Sequence, residues 1–248
     1  MRWCSYERRY SKKINRISMF EPVTHVIFDV DGLLLDTERI YTEVFQGICG
    51  EYGKEYTWAV KASVMGLPAG DATAIICRRV GLPLDPEELL VESARRLHER
   101  FPSAQLMPGV ERLVTHLAAH GVPLAVATGS SRESLQRKRE QHASLFNHMQ
   151  VVVTSDELVE GHGKPAPDIF LKAASRFIPP AQPGKCLVFE DAPNGVGGAK
   201  AAGMQVVMVP DSQLDHAFQK GATQVLTSLT EFIPETFGLP SYESEPQH

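Results

Sequence analysis

The chain lacks any apolar run near the roughly 18–20 residues that a membrane-crossing helix needs. Its four cysteines, Cys4, Cys49, Cys77 and Cys186, are scattered and form no CxxC pair, so reduced thiols are expected rather than a disulfide framework. It has no excess of positive charge: the formal net charge is −5, which argues against a protein that coats nucleic acid or an anionic membrane. Internal repeats and low-complexity segments are also missing. What remains is an ordinary globular composition, 43% hydrophobic and 22% charged over 248 residues. That length suffices for one large core, or a core with a smaller inserted domain.

The charge is unevenly spread. Six Lys/Arg (Arg2, Arg8, Arg9, Lys12, Lys13, Arg16) stand against Glu7 alone in residues 1–20. An Arg-rich, acid-poor start resembles a mitochondrial transit peptide, but its apolar residues make no amphipathic stripe. The expectation is a disordered basic extension over 1–21, with Met19 an alternative start, and a cytoplasmic protein.

From Pro22 the pattern becomes regular. VTHVIFDV (23–30) is a short β-branched run ending in acids and reads as a buried strand. Between it and residue 104 the spacing predicts helices at 38–52, 57–65, 71–81 and 86–100, with almost no strand signal. Beyond 109 the chain alternates: helix 110–120, strand 122–128, helix 131–141, strand 150–154, helix 167–177, strand 185–191, helix 194–202, strand 205–210, and a last short strand at 223–227. Strands alternating with helices of this length predict an α/β fold with a parallel sheet covered on both faces. The expected division is a core of 22–36 and 105–240, a helical cap of 37–104, and a frayed tail of 241–248.

Ligands of open parallel sheets bind beyond the carboxyl ends of the strands. The first strand ends in Asp29, Val30, Asp31, Gly32; the second in Thr128, Gly129, Ser130, Ser131; Lys164 follows the third; the fourth ends in Glu190 and Asp191. These are the residue types that phosphoryl transfer requires. A carboxylate can attack phosphorus and form an acyl phosphate that water then cleaves, the role expected of Asp29. Asp31, two residues along an extended chain, points to the same side and can serve as acid for the leaving oxygen and base for water. Carboxylates gathered around a dianion need a cation, and Mg²⁺ suits oxygen ligands from Asp29, the Asp31 carbonyl and Asp191, with Glu190 beside them. Thr128 and the backbone amide of Gly129 would hold the phosphoryl group, and Lys164 would neutralise it and the nucleophile. Each element alone has a plain structural reading: a solvated turn, a helix cap, a surface lysine. Their joint order at strand ends does not.

Taken together, FDVDGLLLDT, Thr128, KPAPDIF and VFEDAPNGV resemble the four motifs of the haloacid dehalogenase superfamily, from about residue 22 to 240. The resemblance implies a Rossmann-like core, a helical cap inserted between the first and second motifs, and a mobile flap at Gly32–Asp36. Stretches outside those motifs, among them FGLPSYE, are similar to the pseudouridine-5′-phosphatase branch of animals. The function so implied is Mg²⁺-dependent hydrolysis of a small phosphate monoester, pseudouridine 5′-phosphate first, by a monomer with neither nucleic-acid nor membrane partners. A broader sugar, polyol or FMN phosphatase, a phosphomutase and a non-catalytic binding module are the alternatives. Similar mutases carry His in the cap-hinge helix where this chain has Tyr41, which disfavours the mutase.

Three other signals point to structure. The glycines at 195, 197, 198 and 203 fail the G-x-G-x-x-G pattern, because Lys200 occupies its third place, and read as helix packing and a C-cap. His116 and His120 are spaced as zinc ligands can be, without a third. Arg137-Lys138-Arg139 reads as a solvated helix face rather than a nuclear signal.

Overall fold

The structure, a computed structural model, describes residues 19–242. Six parallel strands form one sheet in the order β3-β2-β1-β4-β5-β6. They are β1 (His25–Phe28), β2 (Leu124–Ala127), β3 (Val151–Val153), β4 (Cys186–Glu190), β5 (Gln205–Met208) and β6 (Gln224–Val225). β1 is central: Phe28 lies opposite Val126 on one side and Phe189 on the other. The chain winds outward from β1 in both directions, so a crevice opens at its carboxyl end.

Alternation of side chains across the pleat divides the core. Val26 and Phe28 of β1, with Leu187 and Phe189 of β4, pack on one face; Ile27, Cys186 and Val188 pack on the other. The second face is covered by α8 (Asp168–Arg176) and α9 (Pro193–Ala201), through Phe170, Ala173, Val196 and Ala199. The first is covered by α5 (Val110–Ala119), through Val110, Leu113, Val114 and Leu117. Val26, Ile27 and Phe28 are fully buried. Each such side chain stabilises the fold by about 1.5–3 kcal/mol, which makes β1 a firm support for the residues just beyond it.

Four helices lie between β1 and α5: α1 (Thr37–Glu51), α2 (Trp58–Ala62), α3 (Ala69–Val80) and α4 (Pro86–Arg100). In α1 the buried residues Ile40, Val44, Phe45 and Ile48 recur at three- and four-residue spacing, forming one apolar stripe. Gly81, at φ 68°, ends α3, and Asp85 with Pro86 starts α4. The two connections to this helical segment run side by side. Asp36 N donates to Gln105 O at 2.8 Å, and Met107 N donates to Leu34 O at 3.0 Å.

The elements differ from the sequence expectation mainly at their ends. The helix expected over 57–65 is helical only over Trp58–Ala62, and that expected over 131–141 is α6 (Arg132–Lys138). An unexpected short helix, α7 (Ala143–Phe146), follows; it buries Leu145 and Phe146. The basic stretch 1–18 lies outside the described residues, but Phe20, inside the expected extension, stacks on Phe237 at 4.5 Å. Residues 243–248 also lie outside. Tyr242, expected in the frayed tail, is half-buried and packs its ring at 3.8 Å beneath the Arg112 guanidinium. Among the described residues no helix is long and apolar enough to cross a membrane.

Candidate active site

Asp29 is the first residue past β1, and its amide donates to Phe189 O at 3.0 Å, so the ladder's hydrogen bonding continues one residue beyond the strand. Its carboxylate is buried. Lys164 reaches it from the loop before α8, with Nζ 2.5 Å from Asp29 Oδ1 and 2.5 Å from Glu190 Oε1. Glu190, the last residue of β4, is turned back so that its Oε2 accepts from the amides of Asp191 at 3.2 Å and Ala192 at 3.4 Å. A Cβ at Gly195 would overlap the Glu190 carboxylate, so the glycine is fixed by this close approach and not by a dinucleotide.

Carboxylate oxygens of Asp29, Glu190 and Asp191 lie within 4.8 Å of one another. All three residues are buried, with Lys164 the cation bonded to two of them. Burial and the neighbouring charges of Glu190 and Asp31, opposed by Lys164, push the Asp29 carboxyl up to about 7. Burial and the same crowding of acids hold Asp191 well above the usual carboxylate range. An all-oxygen donor set with surplus negative charge fits Mg²⁺.

That burial and crowding together set the pH dependence of stability without metal. A carboxyl raised from its ordinary 3.8 to about 7 is protonated in the folded chain and ionised in the unfolded one between those values. Stability is then greatest below the unfolded value and drains as pH rises through the folded one. The expected result in chelator is a melting temperature that falls between about pH 4 and pH 7, and a rise on adding Mg²⁺ at pH 7.5. Thermal melts across that range, with and without the cation, check it; a flat profile in chelator would show that the acids do not repel.

Asp31 sits apart from the three. Its Oδ1 accepts from Thr37 Oγ1 at 2.7 Å and Lys138 Nζ at 2.5 Å, and its Oδ2 accepts from Ser130 Oγ at 2.7 Å. Burial raises this carboxyl, but the Lys138 ammonium and the hydrogen bonds from Lys138, Thr37 and Ser130 outweigh it and leave Asp31 below its ordinary value. Thr128, fully buried at the end of β2, accepts from Ser130 N at 3.1 Å, while Gly129 is exposed with open space around it. The six sequence-predicted side chains and Gly129 therefore stand at the carboxyl ends of β1, β2 and β4 and on the loop before α8.

Beside them is a cavity of about 350 Å³, lined by Gly32 and Asp191 from the core, by Glu38, Thr42 and Lys61 from the helical segment, and by Asp211, Gln213 and Thr227. Lys61 Nζ is 3.2 Å from Glu38 Oε2 and 3.0 Å from Thr42 Oγ1. Asn194 Nδ2 closes one contact between core and helical segment by donating to Gly66 O at 2.9 Å.

Sequence reasoning missed Lys138, Thr37 and Lys61. Lys138 corrects the solvated reading of its charge run: it is fully buried, three residues from buried Leu135 on the inward face of α6. That spacing was the available signal, hidden by the arginines on either side. The histidine pair is structural: His116 Nε2 is bonded to Pro240 O at 2.9 Å and His120 Nδ1 to His116 O at 2.9 Å.

A family model described as haloacid dehalogenase-like hydrolase matches residues 23–203. The chain is 49% identical to the probable pseudouridine-5′-phosphatase of Drosophila melanogaster, over 89% of this chain and 96% of that protein. It is 47% identical to the (DL)-glycerol-3-phosphatase 2 of Arabidopsis thaliana, over 89% of this chain and 93% of that one. A hydrolase from Deinococcus radiodurans solved with bound phosphate and sodium superposes with a TM-score of 0.72 at 26% identity, covering 90% of this chain and 100% of that one.

Proposed function

The chain belongs to the haloacid dehalogenase-like hydrolases and is a phosphoric monoester hydrolase acting on small phosphorylated substrates, and from that premise we propose that it works through an aspartyl-phosphate on Asp29 with Mg²⁺ as cofactor. The observation that carries this is the pairing of one buried lysine with the nucleophile and a separate set of donors with the acid/base. Lys164 occupies Asp29 Oδ1, which leaves Oδ2 to attack phosphorus in line as the ester bond breaks. Asp31 gives a proton to the departing oxygen and takes one from the water that cleaves the acyl phosphate. Its resting carboxylate is the form the second step needs, and the charge of an arriving phosphate dianion raises its affinity for the proton the first step needs. Thr128 and the Gly129 amide receive the transferred group. Asp29, Asp191 and the Asp31 carbonyl, with Glu190 behind them, would hold Mg²⁺, and the bound cation would supply neutralising charge.

Residues 37–104 act as the cap that reads the leaving group. To the cavity they share with the core they contribute the polar side chains Glu38, Thr42 and Lys61, alongside the apolar Met107, Val209 and Pro210 of the core, and those polar groups suit a hydroxyl-rich alcohol. Pseudouridine 5′-phosphate is the first reading, from the similarity to the Drosophila protein. Glycerol 3-phosphate is the second: the cavity lining contains no aromatic ring for a base to stack on, and the Arabidopsis protein bears that substrate in its name. The reading includes a monomer working in the cytoplasm.

The test is phosphate release from pseudouridine 5′-phosphate, uridine 5′-phosphate, FMN, glycerol 3-phosphate and 2-deoxyglucose 6-phosphate, each with Mg²⁺ and with chelator. Pseudouridine 5′-phosphate is expected to give the highest kcat/KM. A far better rate on glycerol 3-phosphate would transfer the assignment to the second reading, and metal-independent release would remove the cofactor. In the same assay Asp191→Ala is expected to shift half-activation by Mg²⁺ upward by on the order of 10–100-fold; an unchanged Mg²⁺ titration would take Asp191 out of the ligand set.

A further inference from the structure

A lysine with no exposed surface is rare because desolvating the ammonium is costly unless every proton is accepted. Lys138 meets that condition. Its ammonium reaches Asp31 Oδ1 at 2.5 Å, Ser130 Oγ at 2.7 Å and Tyr41 OH at 3.2 Å, three acceptors for three donors. The Phe101 ring lies beneath it, 4.4 Å from Nζ to the centroid. Ser130 in turn donates its hydroxyl hydrogen bond to Asp31 Oδ2, and Thr37 adds a third donor, so both carboxylate oxygens are fixed.

The positions of these partners matter. Asp31 and Ser130 belong to the core, at the ends of β1 and β2. Thr37 and Tyr41 are in the first turns of α1, and Phe101 directly follows α4. Lys138 therefore sits where both connections to the helical segment pass the acid/base.

We propose that Lys138 is the positioning residue for Asp31, holding its carboxyl group against the departing ester oxygen and tying that placement to the hinge through Tyr41. This rests on the reading of Asp31 as the acid/base. It gives the site a division of labour: Lys164 serves the nucleophile and Lys138 the proton carrier. In the first step, which expels the alcohol, a misplaced acid harms only those esters whose leaving oxygen needs a proton.

The experiment compares kcat/KM, which reports the step that expels the alcohol, for benzyl, phenyl and p-nitrophenyl phosphate in the presence of Mg²⁺. Lys138→Met keeps length and apolar contact but removes the donors. It is expected to lower kcat/KM for benzyl phosphate by on the order of 10²-fold, with a loss for p-nitrophenyl phosphate at least about tenfold smaller, so the rate becomes steeply dependent on the leaving group. Asp31→Asn is expected to show the same steepness. Equal losses on all three esters in Lys138→Met, with a steep response in Asp31→Asn, overturn the proposal alone. Equal losses in both variants overturn the acid/base reading beneath it. Should Lys138→Met not fold, Lys138→Gln, which retains an uncharged amide with two N–H donors but no ammonium, carries the same comparison.

Discussion

Asp29→Asn is expected to lower turnover by on the order of 10⁴-fold or more, with no loss of thermal stability. The two halves of that result have one cause. In the proposed mechanism the carboxylate attacks phosphorus, and an amide of the same shape is no nucleophile. Yet the same carboxylate is buried within 4.8 Å of oxygens of Glu190 and Asp191, so removing its charge relieves repulsion that the fold otherwise tolerates. In chelator the variant should melt at or above the wild-type temperature, and phosphate release should fall to background for every ester. A variant that kept even a tenth of the wild-type rate would show that Asp29 is not the nucleophile.

Lys164→Met has the opposite signature, with both activity and stability falling. Its ammonium holds Asp29 Oδ1 and Glu190 Oε1, each at 2.5 Å. Without it two acids remain buried with no cation between them. Breaking a buried pair from one side costs about 3–5 kcal/mol, or on the order of 10 °C in melting temperature for a chain of this size. The deficit should widen from pH 5 to pH 8, because protonation of the Asp29 carboxyl, the remaining way to relieve the repulsion, is lost as pH rises. Mg²⁺ should return part of it. Melting curves at two pH values with and without Mg²⁺ separate these effects; an unchanged melting temperature would mean the ion pairs contribute nothing.

The sequence made much of this visible, and physical reasons account for the remainder. β1 and β4 were legible because strands buried on both faces are runs of β-branched and aromatic residues bounded by turns, as in HVIF and CLVFE. The acids at their ends were legible because strand ends of a parallel sheet are where polar residues collect for chemistry. The helix containing Lys138 was placed too long, and its lysine was read as solvated, because charge is the weakest guide to which way a helix faces when the apolar stripe is short. Only Leu135 and Lys138 are buried in α6. Lys61 was missed for a related reason: its partners Glu38 and Thr42 are 23 and 19 residues away, a separation that local pattern cannot bridge. The Phe20 and Tyr242 contacts were illegible because each depends on a ring packing against a distant part of the chain, Phe237 and Arg112.

The side-by-side hydrogen bonds of Asp36 with Gln105 and of Leu34 with Met107 have a consequence for how such a chain can diversify. Everything from 37 to 104 leaves and re-enters the sheet layer through one doorway, so its ends already meet. A different insert of any length could be spliced between the same two ends without altering a single strand register. Asp29, Lys164, Glu190 and Asp191 would stay with the sheet, while any exchanged cassette would have to bring its own equivalents of Thr37, Tyr41 and Phe101 to hold Asp31 and Lys138.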